Sequence, residues 1–284
     1  MIGKMNYKNQ EKILEEKVSN GVRYLIYPLL EKTGLVKHGF STRIGGISEG
    51  CLGSMNLSFS RGDKEMAVRE NFRRMANALG VAQDSFVFSA QTHTTNVRKV
   101  TLEDKGKGII KPLDYQDIDG LITNIPGICL TTFYADCVPL YFIDPVHKAI
   151  GLSHSGWRGT VGKMGQVTLE KMHEEYGTEA KEVIAAIGPS ICQNCYEVSE
   201  DVILEFKKQF QEKHWDSLFY KKQNGKYQLD LWKANEIILL GSGVRKENIA
   251  VTNLCTCCNG DILFSHRASN GKRGNLAAFL ALND

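Results

Sequence analysis

Apolar and polar positions along the chain switch between two periods, and the switches mark its elements. Over residues 65–79, Val68, Phe72, Met75 and Leu79 recur at helical spacing and Gly80 is placed to cap the end, so a helix is predicted there. Further helices are predicted over 159–176, over 201–210 with Val202, Phe206 and Phe210 on one face, over 229–240, and as a closing element over 275–282. Short runs rich in β-branched and aromatic residues predict strands over 22–30, 36–42, 85–89, 120–122, 128–133, 140–143, 149–153, 183–187 and 249–252. The glycine-rich stretch 43–53 reads as an irregular loop, and the charged stretch 101–119 as an exposed excursion or hairpin. Strands and helices mix without a strict β–α–β rhythm, and no linker divides them. The pattern predicts one α/β domain over residues 21–284, a layered sandwich with mixed sheets, behind an N-terminal extension over 1–20.

Composition narrows the class. Eight cysteines in 284 residues are too sparse for a small disulfide scaffold. Lys and Arg number 35 against 32 Asp and Glu, and the resulting +3 does not mark a nucleic-acid binder. Residues 1–20 are charged throughout and lack the apolar core of a secretory signal, and no apolar run reaches membrane-span length. The expectation is a cytoplasmic protein without nucleic-acid or membrane partners, a monomer or homodimer, whose thiols stay reduced and free to bind metal or react.

The chemistry concentrates where polar residues interrupt the most apolar part of the chain. Asp136 and Cys137 lie between two strand-like runs, followed by Pro139, which denies the chain a ladder hydrogen bond. Cys137 is thus a candidate ligand or nucleophile, against the plain alternative of an inert buried thiol. His154 follows 17 residues later at the end of the next strand, and His93 ends another strand 44 residues upstream. Two imidazoles and a thiolate on three strand ends make a candidate Zn²⁺ or Cu²⁺ set with a fourth position open to water or substrate. Alternatively, Cys137 is a nucleophile with His154 as its base and Asp136 or Asp119 as the group that orients it. A bound metal would silence that second chemistry.

These residues sit in stretches that resemble a known family. The stretches HGFSTRIGGIS (38–48), QTH (91–93), DGLIT (119–123), ADCVPL (135–140), HSGWRGT (154–160), GPSICQNCYEV (188–198), LCT (254–256) and FSHR (264–267) are similar to those of the bacterial laccase-domain proteins, also described as multicopper polyphenol oxidase-like and viewed as purine nucleoside phosphorylases. The resemblance runs from about residue 20 to the C-terminus. It implies a metal centre, zinc first and copper as the alternative, at His93, Cys137 and His154. It also implies phosphorolysis of adenosine, inosine or methylthioadenosine, with adenosine deamination beside it, and a fold whose core resembles toxin-like cysteine deamidases. That reaction needs purine nucleosides and phosphate as its small-molecule partners. Asp136 or Asp119 would carry protons in deamination. Arg43, in the glycine-rich loop, and Arg158, in the Gly-Trp-Arg-Gly turn, are the best offers for phosphate. Trp157 is placed either to stack on a base or to pack in the core.

Residues 270–275 depart from the family's Gly-x-Thr-Gly-Arg pattern: Asn275 stands where the last Arg is common, and Arg273 is the residue able to take over its role. Two cysteine clusters, Cys192 with Cys195 and Cys255 with Cys257 and Cys258, raise a structural zinc. Only Cys195 and Cys255 match the family pattern, so the other three read as incidental. Cys51 and Cys129 read as small hydrophobes, and His38, His147, His173 and His214 as surface or loop histidines. Two other activities compete. A copper-dependent phenol oxidase is disfavoured by only 7 histidines and no His-x-His pair, and a Cys–His hydrolase or deamidase would use Cys137 and His154.

Overall fold

The computed structural model describes residues 3–283. Two six-stranded mixed sheets face each other. The first runs, edge to edge, Glu15–Ser19, Val22–Ile26, Val36–Ser41, Leu276–Leu282, Cys129–Tyr134 and Phe86–Phe88. The second runs Ile249–Val251, Ile184–Ile187, Val138–Asp144, Ala149–Ser155, Gly120–Thr123 and Val97–Lys99. Period-2 alternation sorts their side chains into three cores. Ala278 and Leu280 meet Tyr141, Ile143 and Leu152 between the sheets. Ala277, Phe279 and Ala281 turn the other way onto Val68, Phe72 and Met75 of the helix Glu65–Leu79. Leu140 and Phe142 turn onto Met172, Phe206 and Leu239 of the helices on the far side. The result is a four-layer helix–sheet–sheet–helix sandwich, an α/β fold as predicted. Among the described residues no helix is long and apolar enough to cross a membrane.

Several elements differ from the sequence expectation for identifiable reasons. Residues 276–282 form a central strand, paired on one side with Val36–Ser41 and on the other with Cys129–Tyr134. Leu and Ala favour helix in isolation, but all seven positions are buried, so no polar face betrays the strand period. The strand from Val22 stops at Ile26, and Pro28 opens the short helix Pro28–Glu31, whose first turn needs no proline N–H. The helix expected over 159–176 is two, Trp157–Val161 and Met164–Tyr176, parted by Lys163 at φ 56°. Within the supposed extension, Glu15–Ser19 pairs as the edge strand of the first sheet.

Cys129 is a buried small hydrophobe, whereas Cys51 is exposed. His38 is buried, not a surface residue: its Nε2 accepts the Tyr27 N–H at 2.8 Å. Burial holds its pKa down at about 4, below the ordinary 6.5. The unfolded chain therefore binds the extra proton between those values, and the stability His38 contributes is present above pH 6.5 and is lost as pH falls toward 4. Urea unfolding is expected to show about 2 kcal/mol less stability at pH 5 than at pH 7 from this group. His38→Gln should flatten that part of the profile; an unchanged slope would remove His38 as its source.

Candidate functional site

The turn Ala135–Cys137 carries the chain from the first sheet to the second, between the strands Cys129–Tyr134 and Val138–Asp144. Asp136 takes φ 91° there, a left-handed conformation that costs a non-glycine residue energy unless its surroundings enforce it. They do: its carboxylate accepts the Thr256 hydroxyl and the Arg267 N–H, each at 2.7 Å. His154 is on the neighbouring strand, where it pairs with Pro139, so Cys137 and His154 share one sheet end. His93, exposed and at φ 68°, reaches over from the segment after Phe86–Phe88. Its Nε2 lies 3.9 Å from Cys137 Sγ, and the two imidazole centroids are 5.0 Å apart. One ligand atom from each of the three falls within 4.8 Å of the others.

Asp119 organises both histidines. Its fully buried carboxylate accepts His154 Nδ1–H at 2.8 Å and the His93 N–H at 3.1 Å through one oxygen. The other oxygen accepts the Thr92 and Thr94 N–H groups and the Thr94 hydroxyl. Burial works against its charge, but these donors hold its pKa down at about 2. Burial opposes charge on the His154 ring, but Cys137 and Asp119 raise its pKa to about 9; with Nδ1–H held by Asp119, Nε2 is the nitrogen that gives up its proton to become a ligand. Burial likewise pushes the Cys137 thiol up, but His154 and His93 outweigh it and bring the thiol down to about 6.

The group fits a metal of the zinc or copper class: a readily ionised thiol, two imidazoles and an orienting carboxylate behind one of them. Gly156 belongs to the same construction. A Cβ there would stand 2.9 Å from His93 Cδ2 and 3.1 Å from Cys137 Sγ.

The three side chains open into a cleft of about 360 Å³. Phe59 and Phe133 supply apolar wall, and Arg61, Arg273 and Asn275 supply polar wall. Arg273 is half-buried and its Nε has no partner, although Nη1 reaches the Asn275 side chain. Burial and the neighbouring Arg61 bring its pKa down to about 10. Two guanidinium groups that repel each other across a cleft favour an anion between them.

Three residues named from the sequence do not line this cleft. Arg43 spends its guanidinium on the Gly53 and Gly260 carbonyls and on the Phe264 ring, 4.6 Å away. Arg158 lies over the Trp157 ring at 4.3 Å. Neither lines the cleft, and neither does Asp136, whose carboxylate is occupied by the contacts that shape its turn. Arg61 carried no sequence signal; Arg273 carried one, through its displaced position beside Asn275. Cys192 and Cys258, read as incidental, stand with Cys195 and Cys255 in a four-sulfur group.

The sequence model of the family described as "Multi-copper polyphenol oxidoreductase laccase" matches residues 37–283. Among curated relatives, "Purine nucleoside phosphorylase YlmD" of Bacillus subtilis is 35% identical over 247 residues, covering 87% of this chain and 88% of that one. "Purine nucleoside phosphorylase" of Staphylococcus epidermidis is 37% identical over 270 residues, covering 94% and 99%. Among solved structures, YlmD from Geobacillus stearothermophilus superposes with a TM-score of 0.88 at 31% identity, covering 96% of this chain and 99% of that one.

Proposed function

The chain belongs to the multi-copper polyphenol oxidoreductase laccase family, and from that premise we propose that it is a metal-dependent purine nucleoside phosphorylase. Adenosine, inosine or methylthioadenosine and phosphate are its substrates, free base and ribose 1-phosphate or its methylthio counterpart its products, and adenosine deamination a side activity. One observation carries the reading: the His93–Cys137–His154 group and the Arg61–Arg273 pair open into the same cleft. The names of the relatives point the same way.

His93, Cys137 and His154 are the residues that would hold the ion. When bound, zinc supplies Lewis acidity and acidifies water, which serves deamination as well. Asp119 keeps His154 in the ligand tautomer and fixes the backbone of His93. Arg61 and Arg273 hold phosphate through charge-assisted hydrogen bonds. Phe59 and Phe133 give the nucleoside an apolar face and keep water off it. A phosphate oxygen bonds to C1′ as the C1′–N9 bond breaks; the electron pair leaves with the purine, which takes up the proton that the phosphate gives up.

Arg273→Ala is expected to raise the KM for phosphate about tenfold or more, corresponding to at least 1.4 kcal/mol. Adenosine deamination, which uses no phosphate, should change less than about twofold. Chromatography of adenine and inosine at varied phosphate reads both, and equal loss of the two products would remove Arg273 from the phosphate site.

Copper-dependent phenol oxidation is the second reading, favoured by the family's description as polyphenol oxidoreductases. Among the described residues only one group of candidate ligands contains histidine, so copper would sit there singly. Oxidation of a phenol by copper-loaded protein, with adenosine left intact beside phosphate, would establish this reading in place of the first.

A further inference from the structure

We propose that Cys192, Cys195, Cys255 and Cys258 form a second, closed metal site that takes a zinc-class divalent cation and holds the Asp136–Cys137 turn in place. Their sulfur atoms all lie within 4.8 Å of one another, with Cys195 and Cys258 3.5 Å apart. A tetrahedron of thiolates around zinc, with bonds of about 2.3 Å, has edges of about 3.8 Å. A disulfide needs about 2.05 Å, and all four cysteines are unpaired here.

Both halves of the group have the spacing of a metal knuckle. Cys192 and Cys195 are a C-x-x-C in the loop after the strand Ile184–Ile187. Cys255 and Cys258 are another, with Cys257 inside it, in the loop after the adjacent parallel strand Ile249–Val251. Parallel pairing brings the two loops out at the same end of the sheet. Backbone N–H groups already point at sulfur: Cys192 and Cys258 both donate to Cys255 Sγ, at 3.2 and 3.4 Å. Such donors stabilise sulfur that carries negative charge. Four thiolates around a divalent cation leave a net charge of −2, and the Lys8 ammonium lies beside Cys192 and Cys258. The donor set is soft and complete, with no position left for substrate, which marks a structural site.

What the site would hold is visible in the hydrogen bonds of its loops. Thr256, between Cys255 and Cys258, donates its hydroxyl to Asp136 Oδ1, and the Ile191 N–H donates to the Asp136 carbonyl at 3.0 Å. Arg267, whose N–H donates to the other Asp136 oxygen, also donates its guanidinium to the Cys195 carbonyl at 2.9 Å. Asn259 clasps the N-terminal segment at Asn6 through two hydrogen bonds. An ion at the four sulfurs therefore ties two loops, the N-terminal segment and the left-handed Asp136 to one point.

The test is metal stoichiometry of the full chain purified anaerobically with zinc in the growth medium. Wild type should carry two zinc equivalents, and His93→Ala/His154→Ala should keep one. Cobalt substituted into that double variant should show the ligand-field bands of a tetrathiolate centre, and X-ray absorption of its zinc should show four sulfurs at about 2.3 Å. Cys195→Ser/Cys258→Ser should lose this equivalent, while Cys257→Ser should retain it. If the serine variant does not fold, the histidine variant and wild type still decide. No zinc in the histidine variant beside one equivalent in wild type would overturn the site. So would a non-reduced mass lacking four hydrogens, the signature of two disulfides. Loss of the His93 centre alone leaves the four-sulfur equivalent intact, so the two sites fail separately.

Discussion

Cys137→Ala is expected to lose the metal of the His93–Cys137–His154 group and to lower kcat/KM for adenosine phosphorolysis by about three orders of magnitude or more. The thiol is the one anionic ligand in the group, and both imidazoles lean on it: burial alone would raise its pKa, yet the two histidines bring it to about 6. Removing it leaves two neutral nitrogens, too few for a catalytic zinc site of three protein ligands. A loss of several kcal/mol of transition-state stabilisation corresponds to the expected factor. The side chain is small and half-buried, so the fold should change little, and thermal unfolding of the variant serves as the control. Metal analysis beside adenine release reads the result. Iodoacetamide separates the thiol-hydrolase alternative, because a nucleophilic Cys137 predicts activity that persists with a chelator present and disappears on alkylation. An unchanged rate in Cys137→Ala would take this residue out of the mechanism.

Asp119→Asn is expected to weaken metal binding about 10- to 100-fold and to destabilise the fold by about 3–5 kcal/mol. The swap conserves volume but not polarity. One carboxylate oxygen faces His154 Nδ1–H and the His93 N–H; the other faces two N–H groups and the Thr94 hydroxyl. An amide offers one oxygen, so whichever way it lies its NH₂ meets donors. Either His154 loses the partner that fixes its tautomer, or the 92–94 turn that presents His93 is released. The negative charge is held down near pKa 2, so its loss is felt throughout the neutral range. Zinc competition titration and urea unfolding measure the two effects. Wild-type affinity together with wild-type stability would show that Asp119 positions nothing.

The ligand group was legible because each member ends or follows a strand, Cys137 interrupts an apolar run, and all three fall in stretches that resemble the family. The same reasoning left Asp119 and Asp136 undivided, since sequence cannot show which carboxylate meets a ring nitrogen and which fixes a turn. Arg43 and Arg158 looked apt for phosphate because they stand in glycine-rich loops. In the fold, Arg43 spends its guanidinium on two carbonyls and an aromatic ring, and the exposed Arg158 lies over the Trp157 ring. Arg61 and Arg273, 212 positions apart in the sequence, meet only through the tertiary structure and share no motif. The closing strand was hidden by its own burial. The four-sulfur group was hidden by Cys257, which disguises the second C-x-x-C as a denser run, and by weighing the cysteines against a family pattern instead of against strand pairing.

In the function proposed above, one cleft joins a metal-ligand triad to a phosphate site for nucleoside phosphorolysis. Phosphorus NMR of zinc-loaded protein with adenosine and inorganic phosphate decides the matter. A sugar-phosphate monoester resonance should grow, matched mole for mole by free adenine and absent with Cys137→Ala. Adenosine left unchanged, or converted only to inosine while the inorganic phosphate signal stays constant, would refute phosphorolysis.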